Sequence, residues 1–195
     1  QQCKTGPLLL IAHAAHNSLP ASLEILAQVQ QESGTGRIYL LRAPDDVATL
    51  DEIKQTARCL EANRRLAEDR LGLVGTSSDW LVASSHRPET VAVRFGLKMV
   101  PLTVDELRAH IARDPAPAAG PEFAAWERAQ ACEGVTREAF ARAVGVYRGL
   151  KALADSYRLG GVTIRCFDLV TQDGTTGCLA LARLADEGIT AGCEG

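Results

Sequence analysis

Short apolar runs alternate with longer stretches of helical periodicity along this chain, and that order restricts it to parallel α/β folds. Leu8 to Ala12, opened by Pro7, reads as a buried parallel strand, with the loop His13 to Asn17 behind it. A helix is expected from Ser18 to Gln31, with Ser18 as N-cap, Pro20 in the first turn and Gly34 and Gly36 at its end. Arg37 to Leu41 is the second strand, and Asp51 to Glu68 a patterned helix with Ile53, Ala57, Leu60 and Arg64 on one side. The order then repeats. Leu71 to Val74 reads as a strand, Gly75 to Asp79 as a polar turn, and Trp80 to Ser84 as a short apolar run. Pro88 to Phe95 is helical and closed by Gly96, and Leu97 to Leu102 is a strand. Val104 to Ala112 is a helix capped by Thr103, with Glu106 at the capping-box position. Asp114 to Pro121 is rich in proline and alanine and reads as a loop or linker. Glu122 to Ala131 and Thr136 to Tyr157 are helical, Gly161 to Phe167 a strand, Thr175 to Glu187 helix-containing, and Ile189 to Cys193 a strand.

The expected fold is therefore α/β, with Rossmann-like parallel sheets carrying helices on both faces, in two lobes. The expected division is a first α/β domain over 1–69, a second over 70–160, and a catalytic region that begins in 161–195. Because the chain opens on Gln1 and stops at Gly195 directly after a strand, it is expected to be a piece of a longer protein.

Charge excludes some functions. With 21 Lys and Arg against 24 Asp and Glu, both signs interspersed, there is no basic stripe to neutralise phosphates, so no nucleic-acid partner is expected. Leu8 to Ile11 is too short to cross a bilayer, and no membrane partner is expected either. The 6 cysteines form no CxxC pair, which removes a zinc ribbon and leaves reduced thiols of a cytoplasmic protein as the expectation.

In open α/β sheets ligands bind outside the carboxyl ends of the strands. The loop with His16, Asn17 and Ser18 lies at such an end and offers donors to a polyhydroxyl or anionic ligand. The competing reading is that Asn17 and Ser18 simply cap the helix. Ser78 and Asp79 follow the third strand, and there the choice is between sugar-hydroxyl contacts and a plain turn. Neither GxGxxG nor GxxxxGK[ST] occurs, so a dinucleotide or P-loop site is not indicated. Asp168 and Glu194 stand at the ends of the last two expected strands, suited to a hard metal or to general acid–base work. Arg165 beside them needs an acidic partner if it is buried.

Three segments, TIRCFDLV over 163–170, TGCLALA over 176–182 and DEGITAGCEG over 186–195, resemble the core of the L-fucose isomerase-like family, which is related to L-arabinose isomerase. SDWLV over 78–82 and the region from Phe95 to Glu106 fit the same pattern. The resemblance implies an aldose–ketose isomerase of carbohydrate metabolism, a small-molecule sugar substrate, a homo-oligomer, and Mn²⁺ or another divalent cation held by two carboxylates and a histidine. Carried over by position, Glu194 matches one metal-binding and catalytic carboxylate. The second falls at Asp168 or at the position of Arg165, and in the latter case the chain has lost a ligand. No histidine here matches the third, so this chain alone is expected to be inactive and to hold no cation. The alternative is a non-catalytic sugar-binding or regulatory protein of periplasmic-binding-protein-like α/β fold.

Overall fold

A computed structural model describes residues 6–84, 87–113, 124, 125, 128 and 134–193. The expected linker at Asp114 to Pro121, most of the helix expected over Glu122 to Ala131, and Glu194 lie outside the described residues. The chain divides into two units, Gln1–Ala62 and Asn63–Gly195.

In the first unit, β1 (Leu8–His13) and β2 (Gly36–Leu41) pair in parallel, Leu8 opposite Gly36 and His13 opposite Leu41. Their connection is α1 (Ser18–Gln31). Leu26 of α1 lies over Gly36, while Tyr39, on the alternate face, donates its hydroxyl to Thr56 of α2 (Val47–Glu68). Successive strand side chains point to opposite faces, so the two helices cover opposite sides of the sheet. Asn17 stands at the cap position of α1 but makes no side-chain cap bond, and the Ser18 hydroxyl instead accepts from the His13 N–H at 3.1 Å. Pro20 occupies the third helical position, where an N-cap side chain usually finds an N–H, and proline has none. Helix α2 begins at Val47, before the expected Asp51, because Asp46 accepts from the Thr49 N–H at 3.2 Å and so caps it.

The second unit is built on a four-stranded parallel sheet in the order β4-β3-β5-β6. Its strands are β3 (Arg70–Val74), β4 (Lys98–Leu102), β5 (Gly161–Ile164) and β6 (Thr190–Cys193). Helix α3 (Pro88–Phe95) links β3 to β4; α4 (Val104–Arg113) and α5 (Arg137–Tyr157) lie between β4 and β5; α6 (Cys178–Asp186) links β5 to β6. This is a Rossmann-like α/β arrangement. Val74, Leu102, Val162 and Ile164 from one face of the sheet pack with Leu107 of α4, Val146, Leu150 and Leu153 of α5, and Ala180 and Leu184 of α6. Each fully buried aliphatic side chain in such a cluster contributes about 1.5–3 kcal/mol. Trp80 and Val82, which read as a short apolar run, lie in turns and are exposed. Strand β5 ends at Ile164, earlier than the expected Phe167, because the chain turns there into a helical turn, Cys166–Asp168, and a π-helical turn, Leu169–Asp173.

The capping box of α4 forms as its sequence indicates. The Glu106 N–H donates to the Thr103 hydroxyl at 3.0 Å, and Glu106 Oε2 accepts from the Thr103 N–H at 2.7 Å. The Thr103 N–H, then its hydroxyl, then the Tyr157 hydroxyl donate to this carboxylate and hold its pKa below the usual value. A depressed folded pKa stabilises above the unfolded pKa, and the contribution is lost as pH falls through the folded value. Glu106→Gln is therefore expected to lower the urea midpoint at neutral pH. The gap from wild type should close as the solution is acidified below the ordinary glutamate range. A gap that does not vary with pH sinks this assignment.

Candidate functional site

The order β4-β3-β5-β6 contains a topological switch point. From β3 the chain moves outward through α3 to β4, crosses back to β5 on the other side of β3, and then moves outward to β6. Adjacent connections leave β3 and β5 in opposite directions, which opens a crevice beyond their carboxyl ends. Strand β3 is held to its neighbours on both sides, β4 and β5, up to that crevice. The Gly75 N–H donates to Leu102 O at 2.9 Å and the Arg165 N–H to Val74 O at 2.8 Å. Gly75 has φ +90°, and a Cβ there would sit 2.8 Å from the Cβ of Arg165. Only glycine permits both the dihedral and the approach.

The crevice has a volume of about 450 Å³ and is lined by Gly75 and Thr76, by Pro101 to Asp105, and by Arg108 and Asp168. Arg165 contacts two of these lining residues. Its Nη1 donates to the Thr76 hydroxyl at 3.0 Å, and its Nε lies 3.2 Å from Asp168 Oδ1. That Nε is buried and out of line for a hydrogen bond, so the pair is held by charge alone at this atom. Arg108 is saturated by comparison. It donates through Nε and Nη2 to Asp173, through Nη1 to Asp105 at 2.8 Å and through Nη2 to Gln172 at 2.7 Å. Asp173 first, then Asp105, push its pKa further up and keep it charged. Nearby, the Gly177 N–H donates to the buried Cys166 Sγ at 3.1 Å, which ties the start of α6 to the turn carrying Asp168.

Of the described residues singled out from sequence, Asp168 lines this crevice, as do Gly75 and Thr76 at the start of the turn that carries Ser78 and Asp79; Glu194 lies outside the described residues. Ser78 and Asp79 belong to the loop after β3; Ser78 is buried, and its carbonyl accepts from the Leu81 N–H, while Asp79 is exposed. His16, Asn17 and Ser18 belong to the first unit, where His16 takes a positive φ of 56°. Arg165 has the acidic partner its position called for. Arg108, Asp105 and Asp173 were not singled out, because acids and arginines on helix surfaces carry no local signal of convergence.

No protein-family model matches the chain. A stretch of 51 residues is 47% identical to 4-hydroxy-3-methylbut-2-enyl diphosphate reductases of Xylella fastidiosa strains M23, 9a5c and Temecula1 / ATCC 700964. The match covers 26% of this chain and 15% of each relative. It overturns the expected kinship with L-fucose isomerase-like proteins, because the relatives found are named for a diphosphate reduction and not for sugar isomerisation. The expectations of an aldose–ketose isomerase, of carbohydrate metabolism and of a manganese centre fall with it, and the sugar-binding alternative gains nothing from it. In the structure Asp168 is turned to the Arg165 guanidinium, while Glu194, the other expected carboxylate, lies outside the described residues.

Proposed function

We propose that the second unit binds a small oxyanion-bearing molecule in the crevice between β3 and β5, with Arg165 as its anchor. One observation carries the reading. Arg165, just after β5 at the switch point, has a buried Nε without a hydrogen bond and holds Thr76 and Asp168, two residues that line the crevice. A guanidinium offers donors in a fixed fork that matches phosphate or carboxylate. Three acids, Asp105, Asp168 and Asp173, face two arginines, Arg108 and Arg165, so binding of an anion rests on directed guanidinium hydrogen bonds and not on net charge. The short likeness to reductases named for a diphosphate substrate is in keeping with such a ligand.

No helix among the described residues is long and apolar enough to cross a membrane. We propose a cytoplasmic location, in keeping with cysteines spaced too widely along the sequence to read as a disulfide framework.

Titration of the chain with inorganic pyrophosphate, followed by the amide resonances of Thr76, Thr103 and Asp105, tests the reading. Saturable shifts at these amides are expected. Arg165→Met is expected to weaken binding about ten- to hundredfold, the loss of charge-assisted hydrogen bonds. Arg165→Lys should recover only part of it, because lysine keeps the charge without the fork. Equal affinity in wild type and Arg165→Met overturns the reading.

A further inference from the structure

We infer that the first unit carries an anion site of its own, independent of the crevice above, which takes a phosphate monoester with a short apolar body. The site is a cleft of about 500 Å³ beyond the carboxyl ends of β1 and β2, lined by His13, Ala14, Ala15, Leu41, Arg42, Ala43 and Pro44. Its composition selects the ligand. The lining holds two side chains able to meet an anion, His13 and Arg42, and no carboxylate. Everything else on the wall is alanine, leucine or proline, which favours an apolar surface and gives a sugar or a nucleoside little to hydrogen-bond.

Local bonding prepares both basic groups. His13 Nδ1 accepts from the Ala15 N–H at 3.2 Å, which leaves the proton of the neutral ring on Nε2 and makes that edge a donor. The His16 ring stands edge-on to the His13 ring, with centroids 6.5 Å apart, and fixes a second imidazole beside the first. Two acids follow Arg42 in the chain, the exposed Asp45 and then Asp46, whose oxygens are engaged at a helix end. These oxygens accept from the N–H groups of Arg42 and Thr49, each at 3.2 Å, and from the Thr49 hydroxyl at 3.0 Å, all at the start of α2. The Asp46 carboxylate therefore bonds at the helix end, and the Arg42 guanidinium acts on it through charge alone, without an ion pair between them.

The full chain is titrated with butyl phosphate, and separately with inorganic phosphate, while the imidazole resonances of His13 and His16 are followed. The expected result is a saturable shift of His13 with butyl phosphate, at an affinity severalfold above that for inorganic phosphate, since each buried methylene adds to it. Arg42→Gln should weaken butyl phosphate binding about tenfold. His13→Gln combined with Arg42→Gln should remove the saturable response. Both side chains are exposed, so an unchanged far-ultraviolet circular dichroism spectrum is expected and confirms that the variants fold. A linear, non-saturating shift, or a response in Arg42→Gln equal to wild type, overturns the site. Equal affinity for the two phosphates overturns the apolar body.

Discussion

Truncation of Leu150 to alanine is expected to destabilise the second unit by about 2–5 kcal/mol. Leu150 lies on α5 with 0% of its surface exposed, in the cluster that joins the sheet to α4, α5 and α6. Removing its isobutyl group deletes the transfer free energy of that group and leaves a cavity. The cavity is hard to close. Gly149, the preceding residue, brings α5 so near α4 that a Cβ there would lie 2.7 Å from Ile111 Cγ1 and 2.8 Å from Leu107 Cδ1. The helices are already at contact distance and cannot move inward to fill the void, which places the cost in the upper part of the range. Domains of ordinary stability have about 5–15 kcal/mol in total. The change should therefore appear as a large drop in the urea midpoint with an unchanged slope. Val82→Ala is the matched control, because Val82 is 89% exposed and its truncation should alter stability by less than about 0.5 kcal/mol. A Leu150→Ala midpoint as close to wild type as that of Val82→Ala shows that the core is not packed as described.

The fold was legible where local chemistry and burial agree. Thr103 and Glu106 announced the start of α4, Gly96 closed α3 in a left-handed conformation, and the helix expected from Thr136 forms with that residue as its cap, accepting from the Ala139 N–H. Boundaries slipped where a competing bond decided them. Asp46 captured the Thr49 N–H and drew α2 upstream, and the residues after Ile164, with a strand-like apolar pattern, turned instead into helical turns. Periodicity cannot separate these outcomes, because a short apolar run satisfies a buried strand and a buried helical turn equally well.

The site was legible only in part, for a topological reason. The sequence shows that loops follow strands, but not which strands are neighbours. Asp168 drew attention as an acid after a strand, yet its partner proved to be Arg165, three residues earlier, and not a metal-binding acid. The pairing of β3 with β5 brings Thr76 within 3.0 Å of Arg165, 89 residues away in the chain. No spacing rule predicts that contact. The resemblance to an isomerase rested on strings of residues that also satisfy the plain requirements of strand, turn and helix, which is why a general α/β pattern could imitate a family.

Gly75→Ala is expected to damage the crevice and the sheet together. At φ +90° an alanine is strained by about 1–3 kcal/mol, and its Cβ must also occupy space 2.8 Å from the Cβ of Arg165. Neither strand can yield easily. The Gly75 N–H is fixed to Leu102 O on one side, and the Arg165 N–H to Val74 O on the other. Relief must come from separating the carboxyl ends of β3 and β5, which moves Arg165 away from Thr76 and swings its guanidinium from the crevice. Stability and ligand binding should therefore fall together, with a lower urea midpoint and pyrophosphate binding weakened at least as much as by Arg165→Met. Thr76→Ser provides the contrast, because it keeps the hydroxyl that accepts from Arg165 and leaves the backbone alone; its midpoint and affinity should stay near wild type. If Gly75→Ala loses stability but binds pyrophosphate normally, the ligand sits elsewhere. If it retains both, β3 and β5 do not approach as closely as the crevice requires.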